Sequence, residues 1–508
     1  MKRAAALAAS LAAALLIAAP GAVRAADELP PATTIRANVR AAEHAPNAYR
    51  ETVQITSSDG TTTTVRELVR GDDVRTIDES GPFHAESGAV GGKHWRQTEN
   101  GITVDDTDDP GNALPERLAT TVSRSPDGAL IVASLNAKGW GRKDYIDAAT
   151  WHVLRHERIG ATGTVTTTYD DVRDDQGRVF AHRWHVIDAA EQTTSDARVT
   201  EYAPGPVSEA ELARPPSRRT LVTFPDGTAP VALPASFGRH IFVRVTVGGR
   251  GADFILDSGA SGIVLDTELV RALGLKAYGE HSHVVAARTT FARTIVPEMR
   301  VGPLVLRDVA AGIIPLNFAR TPRVKVAGVL GFDFLAQLGV TIDYEHERVT
   351  AVPAASYAPP NDPLTRALEI RLGRGVPLAT VTLDGTLAER FMLDTGGEGN
   401  FLIFDYFTRR NPDAVPDVDV PVFPGGTTLS GVGGLFATKL VVVRHLVIGG
   451  FDFRSVIGNR VIGQQTYSND VDGVMGQQLL KNFTVGLDYA HERVYLTPNT
   501  AGRKTLGV

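Results

Sequence analysis

The chain of 508 residues contains no cysteine. This absence excludes disulfide frameworks, thiolate metal sites, cysteine nucleophiles and lipid anchors attached through cysteine. An excess of basic charge is also missing, because 52 Lys and Arg residues stand against 58 Asp and Glu residues and the net charge is -6. A nucleic-acid partner usually requires a broad basic surface, so we expect none for this protein.

Long apolar runs are absent from all but the beginning of the chain. There, Lys2 and Arg3 precede an apolar run over residues 4–19, and a small-residue pattern ends at Ala25. These three parts are typical of a secretory signal peptide cleaved after Ala25. An uncleaved membrane anchor is the less favoured alternative, because a spanning helix usually needs about 20 residues. We therefore expect an exported protein, periplasmic or secreted, with no transmembrane segment once residues 1–25 are removed.

Nucleotide-binding and metal-binding motifs are weak throughout. The glycine-rich segment 248–251 precedes a predicted strand instead of opening a helix, and segment 91–93 lacks the Ser or Thr of a phosphate loop. Segments 343–349 and 488–494 each bring Asp, His and Glu together, but each lies between two strand-like runs and is predicted as a charged hairpin turn. Four histidines lack carboxylates at ligand spacing, namely His152, His156, His182 and His185. We expect neither a metal nor a cofactor.

The composition that is present is that of a globular, turn-rich protein, with 43% hydrophobic residues, 50 Gly and 29 Pro. It favours many short strands, and the length suggests about three domains. Two proline-rich stretches are predicted as extended linkers. The predicted order is a signal peptide (1–25), an N-terminal accessory domain (26–203), a linker (204–218), a first lobe (219–352), a second linker (353–363) and a second lobe (364–508).

The N-terminal domain is predicted to be an antiparallel β-sheet. Residues 51–69 alternate apolar and polar around Asp59-Gly60, which indicates a hairpin. Similar runs occur at 162–172 and 178–188, the second after the turn-like segment 175–177. No catalytic constellation is found here. Long antiparallel strands that end in a Pro-rich exit resemble the half-barrel of LolA-like lipoprotein-carrier domains, which leaves an apolar-ligand carrier as an alternative function.

The two lobes are copies of one another. Residues 326–349 and 471–494 are identical at 12 of 24 positions at a fixed offset of 145. This similarity indicates an internal duplication. Upstream, each copy carries an apolar strand that runs into an acidic turn, Asp257-Ser258-Gly259 in the first and Asp394-Thr395-Gly396 in the second. These are the only two Asp-Ser/Thr-Gly triplets of the chain.

The chemistry of such a pair follows from its carboxylates. If the copies pack about a pseudo-twofold axis, Asp257 and Asp394 meet, and two adjoining carboxylates hold one proton between them. Such a dyad can activate a water for attack on an amide carbonyl. Ser258 and Thr395 would hold each loop against the other copy through their hydroxyl groups. The glycines of the triplets, Gly259 and Gly396, would allow the tight turn and a close approach of the backbone.

The loops at 257–261 and 394–396 resemble the active-site loops of aspartic peptidases, and the turns at 328–331 and 473–476 resemble the second signature of that family. The short lobes resemble bacterial retropepsin-like domains fused in tandem. This resemblance implies an all-β fold, with two tandem retropepsin-like acid-protease β-barrel lobes preceded by the antiparallel β N-terminal domain. It also implies an endopeptidase that acts on a peptide or protein substrate, as a monomer with an intramolecular dyad.

The same resemblance implies a hairpin flap over the cleft. The predicted flap glycines, which would let a hairpin tip lift and close, are Gly431, Gly433 and Gly434. The corresponding stretch of the first lobe, 281–294, has no glycine, so two flaps should behave unequally.

The second loop departs from the family pattern, because Gly397 and Glu398 replace the usual small residues. Glu398 would either raise the pKa of the dyad by like-charge repulsion or point to solvent as a substrate-contacting group. The neighbouring glycines would leave the loop too mobile for catalysis. The alternative is then a catalytically degenerate protein that binds a peptide or an envelope component.

Overall fold

A computed structural model describes the protein. The described residues are 29–105, 118–137, 139–160, 163–189, 191–225, 230–284, 288–316, 324–373, 375–416, 427–431, 434–462 and 471–508. The predicted signal peptide lies outside them. Within these residues, no helix combines the length and the apolar character that crossing a membrane requires.

The N-terminal region forms one antiparallel sheet, called sheet A. Its strands are β1 (Ala48–Ser57), β2 (Thr62–Arg70), β3 (Asp73–Ser80), β4 (Phe83–Val90), β5 (Lys93–Gln97), β6 (Thr103–Asp105), β7 (Ala119–Arg124), β8 (Leu130–Leu135), β9 (Gly141–Ile146), β10 (Val153–Ile159), β11 (Thr164–Asp175), β12 (Arg178–Asp188) and β13 (Thr193–Pro204). Their order is β6-β5-β4-β3-β2-β1-β13-β12-β11-β10-β9-β8-β7. The hairpins predicted around Asp59-Gly60 and at 175–177 are confirmed as β1–β2 and β11–β12.

A helix precedes sheet A and packs against it. Helix α1 (Ala32–Glu43) buries Ile35 completely, in a cluster with Leu130, Val132 and Ile146 of the sheet. The apolar side chains of the sheet and the helix stabilise this region by removing their surface from water.

The first copy of the repeat begins after a short helix, α2 (Glu209–Leu212). Its elements are β14 (Val222–Thr223), β15 (Val231–Ala232), β16 (Ala235–Phe237), β17 (Ile241–Val247), β18 (Arg250–Leu256), β19 (Ile263–Asp266), α3 (Thr267–Leu273), β20 (Tyr278–Val284), β21 (Arg288–Val301), β22 (Leu304–Ile314), β23 (Val326–Leu330), α4 (Phe332–Leu335), β24 (Leu338–Asp343) and β25 (Arg348–Pro353).

The second copy follows a 3-10 turn at Ala354–Ser356. Its elements are β26 (Arg366–Glu369), β27 (Arg371–Gly373), β28 (Val376–Leu383), β29 (Thr386–Leu393), β30 (Phe401–Ile403), α5 (Asp405–Arg410), β31 (Thr427–Gly431), β32 (Gly434–Ile448), β33 (Phe451–Val461), β34 (Gly473–Met475), α6 (Gln477–Leu480), β35 (Phe483–Asp488), a 3-10 turn (Tyr489–His491), β36 (Arg493–Pro498) and α7 (Thr500–Leu506).

The two copies build sheets with the same internal pairings. Sheet B has the order β14-β22-β19-β23-β18-β17-β21-β20, with β16 beside β17, and sheet D has the order β27-β28-β29-β34-β30-β33-β32-β31. In both, the strand that ends in the aspartate pairs in parallel with the strand that ends in the second signature, β18 with β23 and β29 with β34. The expectation of an all-β fold is confirmed.

A further sheet, sheet C, joins the copies in the order β15-β25-β24-β35-β36-β26. The first copy supplies β15, β25 and β24, and the second supplies β35, β36 and β26. The central pair, β24 with β35, is antiparallel from Gly339↔Asp488 to Asp343↔Thr484. Each copy therefore supplies three of the six strands of sheet C, and the sheet forms only when both copies are present.

Sheet A is tied to sheet B through one buried amide. The Asn100 Nδ2 atom donates to Ala310 O and to Asp333 Oδ2, both at 2.8 Å, and Asn100 Oδ1 accepts from Ala310 N at 2.9 Å. Thr98 Oγ1 donates to the other Asp333 oxygen at 3.0 Å. Burial raises the pKa of Asp333 to about 6, although these two hydrogen bonds favour its charged form. The N-terminal region is thus docked on the first copy.

The segment at 204–218 differs from the extended linker expected from its prolines. It contains α2, which begins with a capping box. The Ser208 side chain accepts from the Glu211 N–H, and the Glu211 side chain accepts from the Ser208 N–H. The segment also follows the surface of sheet A, where Gln97 Nε2 donates to Pro216 O at 3.0 Å. Prolines alone do not show which part of such a segment packs against its neighbours.

Candidate active site

The parallel strand pairs place the two aspartates at equivalent positions. Asp257 follows β18, and its backbone N–H donates to Leu330 O, at the end of β23, at 3.0 Å. Asp394 follows β29, and its N–H donates to Met475 O, at the end of β34, at 2.9 Å. The predicted triplets are therefore brought together by the same local fold in both copies.

The residue after each aspartate locks the two loops to one another. Ser258 Oγ donates to Leu393 O at 2.7 Å, and Thr395 Oγ1 donates to Leu256 O at 2.9 Å. In return, the backbone N–H of Ser258 donates to Thr395 Oγ1 at 3.0 Å, and that of Thr395 donates to Ser258 Oγ at 2.9 Å. Both hydroxyl side chains are buried. The four hydrogen bonds join the two loops in a reciprocal junction.

The two carboxyl groups lie at this junction within hydrogen-bonding reach of each other. Gly259 N donates to Asp257 Oδ1 at 2.8 Å, and Gly396 N donates to Asp394 Oδ1 at 2.7 Å. Burial raises the pKa of both carboxyls, and the nearby Asp394 raises that of Asp257 further. Both aspartates still keep some exposed surface. The pair can therefore hold one proton and remain reachable from solvent.

The triplet glycines permit this approach. A Cβ atom at Gly259 would lie 2.7 Å from Asp394 Cγ, and one at Gly396 would lie 2.5 Å from Asp257 Cγ. Both distances are shorter than non-bonded carbon atoms adopt. Each glycine thus makes room for the carboxyl group of the other copy, which is the role that the sequence assigned to it.

Two tyrosines that sequence analysis missed lie close to the pair. Tyr489 is buried, and burial followed by the charges of Asp257 and Asp394 raises its pKa well above the ordinary value. Burial and Asp394 likewise raise the pKa of Tyr344. Both phenols therefore stay protonated. The signal was present, because these tyrosines occupy the same position of the repeated segments 343–349 and 488–494.

Those two segments otherwise have the predicted structure. They connect β24 to β25 and β35 to β36, and their histidines pair with the aspartates that precede them, His346 with Asp343 and His491 with Asp488, both at 2.8 Å. The prediction of charged hairpin turns is confirmed.

Glu398 is exposed, and its contact with a substrate stays a prediction. Its carboxylate reaches across to the first copy, where it pairs with Arg239 and lies 3.0 Å from His240 Nε2. The hydrogen bond from His240, together with that from Arg239, lowers the pKa of Glu398 to about 2. These partners could not be expected from the sequence because they lie more than 150 residues upstream of Glu398. Glu398 is a member of an ion-paired bridge between the copies.

The second loop is also more firmly held than its glycines suggested. Gly397 O accepts from Gln477 N at 2.8 Å, and Gly399 O accepts from Gln478 N at 3.2 Å. Gln477 Nε2 further donates to Thr395 O at 2.6 Å. The backbone of this loop is thereby anchored on α6, as the first loop is anchored on α4 through the 2.9 Å bond from Phe332 N to Ala260 O.

Hairpins occur at both predicted flap positions. Strands β31 and β32 pair as far as Gly431↔Gly434, and β20 pairs with β21 as far as Val284↔Arg288. Of the three predicted flap glycines, Gly433 lies outside the described residues. That the two hairpins move unequally stays a prediction.

A cavity of about 390 Å³ adjoins the first loop. Sheet B contributes Ser261 and Gly262, which follow the triplet, and Phe291 of the β20–β21 hairpin. Sheet A contributes Arg96 and Glu99. The N-terminal region therefore forms part of the wall of this cavity, whose lining includes neither Asp257 nor Asp394.

Three of the N-terminal histidines, His156, His182 and His185, each contact a different aspartate. His156 lies 2.8 Å from an Asp144 oxygen, and His182 lies 3.1 Å from an Asp175 oxygen. Over the part of the chain that the structure describes, no three His, Asp or Glu side chains are grouped so that they could hold a metal ion.

One comparison with known protein families matches a region that contains the first triplet. A family model described as aspartyl protease matches residues 243–334. A relative from Sinorhizobium sp., described as an uncharacterized protein in the cobV 5′ region, is 28% identical over 102 residues, which are 19% of this chain and 44% of that protein. The matching region thus spans less than half of that relative. The chain contains an aspartyl-protease-like region.

Two solved structures resemble parts of the fold. An aspartic proteinase from Irpex lacteus aligns over 55% of this chain and 100% of its own, at 11% identity and a TM-score of 0.34. A LolA superfamily protein from Nitrosomonas europaea aligns over 36% of this chain and 98% of its own, at 11% identity and a TM-score of 0.30. At these TM-scores neither structure supports a conclusion about this chain.

Proposed function

We propose that the protein is an exported aspartic endopeptidase in which Asp257 and Asp394 are the catalytic pair. The observation that carries this proposal is the reciprocal junction, in which Ser258 and Thr395 fix two carboxyl groups with raised pKa values against each other. Two such carboxyls share one proton, so the pair contains both an acid and a base.

The reaction that fits this pair is hydrolysis of a peptide bond by water. The ionised carboxylate takes a proton from a water molecule as that water attacks the amide carbonyl carbon. The protonated carboxyl donates its proton to the carbonyl oxygen as the negative charge develops there. Collapse of the tetrahedral intermediate breaks the C–N bond and transfers a proton to the leaving nitrogen. The raised pKa of the pair keeps the shared proton in place to a higher pH than an isolated carboxyl group would.

Sheets B and D are proposed to form the cores of two lobes, with the substrate lying in extended form between them. The hairpins β20–β21 and β31–β32 would cover that substrate, and the cavity beside Ser261 would receive one of its side chains. Because both aspartates belong to one chain and sheet C joins the copies, a single molecule suffices for activity.

The test is cleavage of a mixed peptide library between acidic and neutral pH, with and without pepstatin. Asp257→Asn and Asp394→Asn should each abolish turnover and leave the circular dichroism spectrum unchanged. Asp253→Asn is the matched control, because Asp253 lies on β18, the strand that Asp257 follows, and pairs with Arg244 at 3.0 Å. Cleavage retained in both catalytic variants would refute the assignment. Peptide binding without cleavage at any pH would favour the degenerate alternative.

A further inference from the structure

The register of the strands identifies equivalent positions in the two copies. Phe242 of β17 pairs with Ile255, two residues before the first aspartate, and Leu378 of β28 pairs with Met392, two residues before the second. The residues two positions earlier are His240, which immediately precedes β17 in the first copy, and Val376, the first residue of β28 in the second. The copies therefore differ at this register position.

His240 faces the second loop through both of its ring nitrogens. Nδ1 lies 2.9 Å from Gly396 O, and Nε2 lies 3.0 Å from Glu398 Oε1. The ring is 7% exposed. A carbonyl oxygen and an ionised carboxylate only accept hydrogen bonds, so both contacts are satisfied together only when both ring nitrogens carry a proton.

In the first loop, the position equivalent to Glu398 is Ser261, which carries no charge. The contact between His240 and Glu398 therefore occurs only on the Asp394 side of the aspartate pair. Arg239 adds a second cation to the same carboxylate. The charge of His240 also lowers the pKa of Asp394, against the larger effect of burial. The residue at the equivalent register position, Val376, carries no charge and packs among apolar side chains of its own copy.

We propose that His240 is a positioning residue, which holds the Asp394 loop from the opposite copy and biases the shared proton toward Asp257. The proposal rests on the proposed function, because it assigns the two halves of the same catalytic pair. Asp394 is then the carboxylate that takes the proton from water, and Asp257 is the acid that donates to the carbonyl oxygen.

Other groups around the pair do not produce this bias. Tyr344 and Tyr489 stay protonated and carry no charge. Arg239 and Glu398 pair with each other at the rim, and their charges oppose. His240 is the cation that contacts the backbone of the second triplet itself, at Gly396.

The experiment compares the wild-type protein with His240→Gln and Glu398→Ala. In His240→Gln, kcat should fall about tenfold with KM within about twofold, because loop position affects the transition state more than substrate binding. The acidic limb of the pH–kcat profile should move up by about 0.5 to 1 pH unit, since Asp394 loses a cation. His185→Gln is the control, because His185 also lies beside a carboxylate, that of Asp196 at 2.8 Å, but on sheet A.

A second readout makes the outcome independent of catalysis. The carboxyl carbons of ¹³C-labelled aspartate are titrated by NMR, and the Asp394 signal is identified by its loss in Asp394→Asn. This signal should titrate at higher pH in His240→Gln than in the wild type. An unchanged titration and an unchanged acidic limb would overturn the inference, whether or not the wild-type protein cleaves peptides. Absence of cleavage in the wild type would overturn only the proposed function.

The combined variant tests positioning. If His240 and Glu398 act through one contact, the double variant should lose no more of kcat than the more impaired single variant. Should His240→Gln fail to fold, Glu398→Ala still releases the loop and is expected to lower kcat about tenfold. An unchanged kcat in Glu398→Ala would contradict the proposal.

Discussion

The two triplet loops have the same backbone arrangement but different supports. The first loop belongs to the copy on which sheet A docks, through Asn100 and the buried carboxyl of Asp333. The position equivalent to Asp333 in the second copy, at the offset of 145, is Gln478. The second loop is instead held from the opposite copy by His240. The hydrogen bonds between the two triplets are the same in both copies. The contacts that support each triplet loop from outside differ between the copies.

Substitution of the triplet glycines should lower turnover more than the other substitutions that leave both aspartates in place. In Gly259→Ala and Gly396→Ala, the new methyl group would overlap the carboxyl of the other copy, at 2.7 and 2.5 Å from its carbon. We expect turnover to fall by more than about 100-fold, since misplacement of a reacting group by about 1 Å has this effect. The measurement is kcat on a cleaved library peptide.

The matched control for Gly396 is Gly399→Ala, since a Cβ atom there meets nothing within 4 Å. Equal loss of activity in Gly399→Ala would show that any side chain in the second loop is harmful, and that the contact with Asp257 is not the reason.

Substitution of the hydroxyl residues tests the symmetric part of the junction. Thr395→Ala leaves the buried Ser258 N–H and Leu256 O without their partner, at about 1–3 kcal/mol for each unsatisfied group. We therefore expect the free energy of unfolding to fall by about 2–5 kcal/mol, measured by urea denaturation. Thr395→Ser retains the hydroxyl and should lose much less. If the two variants were equally unstable, the methyl group and not the hydrogen bonds would hold the junction.

Asp333 tests the support that only the first copy has. Its pKa is about 6 in the folded protein and 3.8 without the fold, so the folded state binds the proton more tightly. The free energy of unfolding should therefore decrease as pH rises from about 4 to about 6 and stay level above, by at most about 3 kcal/mol.

The measurement is urea denaturation of the wild type and Asp333→Asn at several pH values. The Asn variant should lack this decrease, because its amide does not titrate. Asp72→Asn, at an exposed position between strands of sheet A, is the control. A decrease of the same size in Asp333→Asn would assign the pH dependence to other groups.

Much of the candidate site could be predicted because its chemistry is written in short, repeated segments. Each triplet follows an apolar strand, and the repetition of the triplets is what brings Asp257 and Asp394 together. His240 could not be predicted, because its partners lie 156 or more residues away and a histidine near a strand start has no motif. Asn100 is a similar case, since a buried amide that bridges two sheets resembles any loop asparagine in sequence. Contacts set by packing between distant segments leave no local pattern.

The N-terminal region shows the same division. Its hairpins follow from alternation and turn residues, as at Asp59-Gly60. Its docking on sheet B does not, because that contact depends on the shapes of two already folded surfaces.

Sheet C has a consequence for the evolution of the two copies. Its strands come from both copies, so one polypeptide contains both halves of the pair. In an assembly of two identical chains, every substitution would appear on both sides of the axis at once. A glutamate at the position of Glu398 would then occur in both loops, and a histidine at the position of His240 would contact each of them. Joining the copies in one chain frees each loop to acquire its own neighbours, and the unequal surroundings of the two aspartates depend on that freedom.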